Sequence, residues 1–369
     1  MKQKKIFITF ILTLFLVLTI SANDSIKTEN IGYINKNITS FITIIKKIPD
    51  WSLLDGLSFR LKINPYDIEI WNILGACYYL GEGIEQNYTK SFECYKKIIE
   101  IDSTYGDAWD ILGDCYYFGE GTEQNYTKAF ECYKKATEGN LIHGDAWYNL
   151  GDCYYFGEGT EQDYTKAFEY YKKATEVNPA QGDVWNTLGN CYYLGEGTEQ
   201  NYTKAFECYK KATEVDPSIG DAWYILGLFY NKGIVTEQNA TKAFECYKKA
   251  TEVDPIDGDA WDMLGACYYF GEGTEQNYTK AFECFNQVIE LDHTRGDAWY
   301  MLGLCYSLGK GTEQNLKKAF ECYKKATEVA PTIEYAWYNL GSCYEYGYGT
   351  AKNPEMATWC YNKAKELGM

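Results

Sequence analysis

Few kinds of residue in this chain could do chemistry, and their spacing limits what that chemistry could be. Two histidines, His143 and His293, stand 150 positions apart in segments between helices. They cannot share an ordinary site, so no Ser/His/Asp or Cys/His constellation assembles from neighbouring segments. Fourteen cysteines occupy two recurring positions 17 apart, as in Cys77 with Cys94, Cys115 with Cys132 and Cys305 with Cys322. Two pairs are broken, since Cys153 has Tyr170 in register and Cys246 has Phe229. A strict cross-link would lose both members together, whereas a small packed residue can be exchanged singly. Packing cysteines are therefore expected, with disulfides the alternative in an exported chain. No Cys/His spacing of the zinc type occurs, and no metal is expected. The turn Gly119-Glu120-Gly121-Thr122-Glu123-Gln124 has the look of a phosphate loop, but it follows a helix and lacks a Lys-Ser/Thr pair. Its acids would repel phosphate, so no nucleotide cofactor is expected. Carboxylates are abundant, yet each sits at a repeated cap or outer position and none is singled out as an acid pair.

The elements that position these residues repeat. Trp71, Trp109, Trp147, Trp185, Trp223, Trp261, Trp299 and Trp337 are spaced 38 residues apart without a slip. The chain is an array, whose core is renewed between neighbours rather than grown as one globule. In the copy around Trp109, Asp107 is expected to cap a helix whose inward positions Trp109, Leu112, Gly113 and Tyr116 follow the 3.6-residue period. A helical glycine costs about 1 kcal/mol against alanine, and close approach of the second helix backbone is the expected reason for it. The second helix is predicted from about Tyr126 to Glu138, capped by Asn125, with Ala129, Phe130, Tyr133 and Ala136 inside and Glu131 paired with Lys135 outside. No strand pattern appears in the repeats.

The run Ala146-Trp147-Tyr148-Asn149-Leu150-Gly151, then Tyr154-Tyr155, Ala167-Phe168, Lys173-Ala174 and Asn178-Pro179, resembles a tetratricopeptide repeat. Four extra residues between the helices, with Gly-x-Gly and then Asn, are similar to Sel1-like repeats. The resemblance covers roughly residues 66 to 369. It implies an all-α, right-handed α-solenoid of antiparallel helix pairs. Residues 23–65 are read as a degenerate repeat, with a capping helix over Trp51 to Lys62. Copy five carries Gly233-Ile234-Val235, so its second hinge glycine is gone and its turn is expected to differ.

At the start, Lys2, Lys4 and Lys5 precede an apolar run from Ile6 to Ile20 and then Ser21 and Ala22. This reads as a signal peptide over residues 1–22, with an uncleaved anchor as the alternative, and either places the repeats outside the cytosol. The formal charge is −17, which becomes −20 without the three leader lysines. Such a surface disfavours nucleic acid and anionic lipid and favours partners with basic segments. Contact with the membrane is expected only through an N-terminal anchor. The Asn-Tyr-Thr runs at Asn87, Asn125, Asn201 and Asn277 are glycosylation sequons as well as helix caps, and the cap reading is preferred because Asp163 fills the position in copy three.

By the resemblance, residues two before and one, five and eight after each Trp line a concave groove. Toward the N-terminus these are Asp107, Asp110, Asp114, Tyr117, Asp145, Tyr148, Asp152, Tyr155, Asn190 and Tyr193, an acidic and tyrosine-rich half. Further along, Tyr224, Leu228, Asp262, Tyr269, Tyr300 and Leu304 make it more apolar. The expected function is an exported, non-enzymatic scaffold or adaptor holding a protein or peptide segment, with no cofactor and with a dimer through the C-terminal end possible. The alternative is a secreted hydrolase or carbohydrate-binding protein of the Sel1-like kind. Replacing mid-array Trp185 is expected to cost more stability than replacing terminal Trp337.

Overall fold

The computed structural model describes residues 53–138 and 145–369, and helix is the only regular secondary structure among them. The expected leader over residues 1–22, Trp51 and His143 lie outside the described residues. A first helix, α1 (Leu53–Ile63), precedes eight helix pairs: α2 (Ile68–Leu80) with α3 (Tyr88–Ile101), α4 (Gly106–Phe118) with α5 (Tyr126–Glu138), and α6 (Asp145–Phe156) with α7 (Tyr164–Val177). Then come α8 (Gly182–Leu194) with α9 (Tyr202–Val215), α10 (Gly220–Lys232) with α11 (Ala240–Val253), and α12 (Gly258–Phe270) with α13 (Tyr278–Leu291). The last pairs are α14 (Gly296–Leu308) with α15 (Leu316–Val329) and α16 (Glu334–Tyr346) with α17 (Pro354–Glu366). Two compact units divide at Asn178 and Pro179, and in each unit every helix packs on the next. The fold is all-α, an α-solenoid of helix pairs.

Each pair forms for the same local reasons. The second helix is capped in every copy by an Asx side chain, for example Asn87 accepting from the Lys90 amide at 3.0 Å and Asp163 from the Lys166 amide at 3.0 Å. Such a cap stabilises a helix start by about 1 kcal/mol. The first helix of copy two begins at Gly106, with Tyr105 as its cap residue and no side-chain cap bond, so Asp107 sits in the first turn instead of capping. There its charge still favours the helix N-terminus. The first helix ends at a glycine in the left-handed conformation, such as Gly119 at φ 75°.

The second hinge glycine is needed for another reason. A Cβ on Gly121 would collide with the carbonyl oxygen of Tyr88, at the start of the preceding copy's second helix. Copy five puts Val235 there, and the turn does not change: Val235 itself takes φ 70°. Its neighbours keep the usual bonds, with the Ile234 amide on the Phe229 carbonyl at 3.1 Å and the Asn239 amide on the Tyr230 carbonyl at 2.9 Å. The packing of the surrounding copies overrides the local preference of a β-branched residue.

The recurring helical glycine also has a different explanation from the expected one. At Gly113 the atoms a Cβ would meet belong to the ring of Tyr133, and the same holds at Gly151 with Tyr171 and Gly303 with Tyr323. A tyrosine ring of the second helix, not its backbone, lies on the first helix. The tryptophans are half-buried, and in seven copies the indole N–H donates to the carbonyl six residues earlier, as Trp109 to Ser103 at 2.9 Å and Trp223 to Pro217 at 3.0 Å. In these seven copies the Trp therefore staples the loop that leads into its own helix. Trp337 departs from the expectation for a terminal copy, because it is only 9% exposed and carries Trp359 edge-on at 5.1 Å. Lys135, expected to pair with Glu131, sets its ammonium over the Trp109 ring at 4.2 Å.

All fourteen cysteines are buried and none forms a disulfide. Burial pushes the thiols of Cys115 and Cys305 up, to about 12 and about 11, which makes them inert packing groups at neutral pH.

Candidate partner-binding face

The first helix of each copy carries two variable rows, one and five residues after the Trp. In the first unit these rows converge on carboxylates. Asp110 is 8% exposed and accepts from the Asn149 amide at 3.2 Å, and the same amide reaches Asp114 at 3.4 Å. The hydroxyl of Tyr133 donates to Asp114 at 2.8 Å, and that of Tyr171 donates to Asp152 at 2.7 Å. Tyr148 lays its ring against Tyr171, with centroids 5.6 Å apart. Asp107 and Asp145 are half-buried beside them.

Burial raises these acids, and like charges add to it. Asp110 lies well above the ordinary carboxylate value because it is buried and faces Asp114 and Asp145. Asp114 is pushed up to about 6 by burial, against the lowering effect of the Tyr133 hydroxyl. Asp152 reaches about 6 for the same reason, with Tyr171 opposing. The cluster thus holds negative charge at a cost, which a cation brought to it would offset.

In the second unit the same rows change character. Asn190 is exposed and accepts from the Tyr209 hydroxyl at 2.7 Å. Leu228, Ala266 and Leu304 then replace the acceptor, and the hydroxyl of the second-helix tyrosine must go elsewhere. Tyr323 donates instead to Ser307 at 3.0 Å, three residues further along the first helix. Phe285 stands in copy six opposite Ala266, so no hydroxyl needs a partner. Tyr247, above Leu228, keeps a buried hydroxyl with no bond, and the Asn231 amide approaches without closing one. Tyr224 and Tyr300 tilt onto Tyr247 and Tyr323, both at 6.1 Å. Asp262 is raised to about 6 by burial although the guanidinium of Arg295 lowers it, and Arg295 bonds Asp259 at 2.6 Å.

The row eight residues after the Trp is engaged within the array itself. Tyr117, Tyr155 and Tyr193 are half-buried and Tyr269 is buried. Each packs edge-on against the first residue of its own second helix: Tyr126 at 5.2 Å, Tyr164 at 5.1 Å, Tyr202 at 5.5 Å and Tyr278 at 5.3 Å. The next copy's turn then reaches back to this row. The carboxylates of Glu120 and Glu158 lie near enough to raise the Tyr79 and Tyr117 phenols beyond what burial does, and Lys310 lies 5.2 Å from the Tyr269 ring and 4.4 Å from the Tyr278 ring. These tyrosines join neighbouring copies. Residues the sequence reading passed over, Asn149, Tyr133, Tyr171 and Arg295, hold the acids in place. One signal was available for them, because the second-helix tyrosine becomes Phe285 in the copy where the opposing position is Ala266.

Eight segments of the chain, residues 72–102, 111–141, 145–178, 188–215, 221–253, 262–293, 297–328 and 335–369, match the Sel1 repeat model. The chain belongs to the Sel1 repeat family. Its eight Sel1 copies coincide with the eight helix pairs, and repeats of this kind commonly serve as protein-interaction scaffolds. Among solved structures, a protective antigen present in uropathogenic Escherichia coli strains displaying an SLR fold is similar at 28% identity and a TM-score of 0.68, covering 85% of this chain. This Sel1 chain spans 64% of the length of that structure. A Sel1 repeat protein from Oxalobacter formigenes is similar at 25% identity and a TM-score of 0.55, covering 69% of this chain and 96% of its own. No curated protein matches the sequence.

Proposed function

We propose that this Sel1 repeat protein is an exported, non-enzymatic scaffold that holds a segment of a partner protein along the first helices of its repeats. The observation that carries this reading is the row of Asp114 and Asp152, each bonded to a second-helix tyrosine and raised to about 6 by burial, on the face that tetratricopeptide-like arrays use for binding. A basic side chain docked there relieves a cost already present in the free protein. The second unit provides its own example of such a pairing, where Arg295 meets Asp259 beside Asp262. The apolar row of Leu228, Ala266 and Leu304 supports an apolar part of the same segment. The leader over residues 1–22 supports export. Among the described residues, no group of three or more His, Cys, Asp or Glu is placed to hold a metal ion.

The test is to recover a cross-linked partner from the extracytoplasmic fraction and measure its affinity for three forms of the protein. Loss in an Asp114→Asn/Asp152→Asn double variant, with none in Glu131→Lys on the outer face, supports the scaffold. Equal losses in both sink it. A second reading, carbohydrate binding, draws on the exposed rings of Phe118, Phe156 and Phe270 at the turn edge, 62%, 59% and 57% exposed. Retention on glycan resin with no protein recovered would favour it.

A further inference from the structure

The position eight residues after the Trp is a tyrosine in five copies, Tyr79, Tyr117, Tyr155, Tyr193 and Tyr269. In the second unit Tyr269 shows what such a ring is held by. It sits against Tyr278 at the start of its second helix and under Lys310 from the next turn. In copy seven all three places change together. Ser307 stands where Tyr269 would be, Leu316 where Tyr278 would be, and Tyr348 where Lys310 would be. The space that other copies fill with a phenol ring is a cavity of about 380 Å³, with Ser307, Leu316, Tyr323, Asn339, Ser342 and Tyr348 in its wall.

The wall is uncharged although the chain carries a net charge of −17. Leu316, Leu308 and Ala319 give it apolar surface, while Asn339, Ser342 and the Tyr323 hydroxyl give it polar ends. An ionic ligand gains nothing from such a lining, and a purely aliphatic one makes no use of the hydroxyl and amide groups at its ends. A ring with one hydroxyl fits both parts. Size is no obstacle, since a cavity of roughly 150 Å³ already admits benzene.

We infer that this cavity between copies seven and eight receives a tyrosine side chain of the bound partner segment, in the place where the protein's own repeats elsewhere insert theirs. The inference rests on the proposal that partners are protein segments, and it names one anchor residue of that segment. Anchors of this kind, an aromatic side chain in a preformed pocket, dominate interface energies.

The experiment titrates N-acetyl-L-tyrosinamide onto the full chain by ligand-observed NMR, with N-acetyl-L-leucinamide as the comparison. Saturable binding of the tyrosine amide, with the leucine amide weaker by about tenfold or more, is expected. Ser307→Tyr restores the residue that five other copies carry. It should fold, raise the melting temperature and lose the tyrosine amide. Tyr348→Ala should weaken binding several-fold while leaving the helices intact by circular dichroism. Absence of saturable binding, equal binding of the two amides, or unchanged binding to Ser307→Tyr would overturn the inference. Each of these leaves the acidic cluster of the first unit untouched, so the double variant at Asp114 and Asp152 still tests the scaffold reading separately.

Discussion

Replacing Asp152 with asparagine should stabilise the protein at neutral pH, and the array contains a precedent for the change. Asp152 accepts the Tyr171 hydroxyl at 2.7 Å, and Asn190, at the equivalent place, accepts the Tyr209 hydroxyl at the same distance. Asparagine therefore keeps the hydrogen bond and removes an ionisation that the site opposes. In the folded protein the Asp152 carboxyl rises from 3.8 to about 6, chiefly through burial. The folded state holds the proton more tightly than the unfolded chain, so the associated stability is complete below pH 3.8 and is lost as pH rises through about 6. Above that, the loss amounts to about 3 kcal/mol at 1.36 kcal/mol per pKa unit. Asp152→Asn should recover most of this at pH 7.5 and under about 1 kcal/mol at pH 4, where the folded carboxyl is still protonated and the unfolded one only partly ionised. Urea denaturation followed by tryptophan fluorescence, wild type against variant at both pH values, measures the difference. A gain that is the same at both pH values would mean that a contact rather than an ionisation is responsible, and a loss at pH 7.5 would refute the reasoning outright.

Two further outcomes follow from the fold. Val235→Gly should raise stability by about 1–2 kcal/mol, because a β-branched residue at φ 70° carries strain that exceeds the extra backbone entropy of glycine, and an unchanged denaturation midpoint would contradict that. Trp337→Ala should cost about 3–5 kcal/mol and no less than Trp299→Ala, since Trp337 is the more buried of the two and packs on Trp359; a clearly smaller loss would restore the view that end copies contribute least.

The sequence by itself determined the array. Eight tryptophans in strict register, glycines at the helix end and Asx residues at the next helix start are local signals, each acting within a few residues, and they placed the helix pairs and their turns. A fixed period also shows which residues are equivalent and which vary. It does not show what a variable residue faces, because that depends on atoms some 20 or 40 positions away. Tyr117 was read as lining a groove, but the next copy's Glu158 and its own copy's Tyr126 claim it. Asp110 was read as an open groove position, but Asn149 of the following copy covers it. Val235 was read as a break in the pattern, but the copies around it hold its backbone in the glycine conformation. Tertiary structure decided all three, since side chains are placed by the packing between copies while helices are placed by the residues within one.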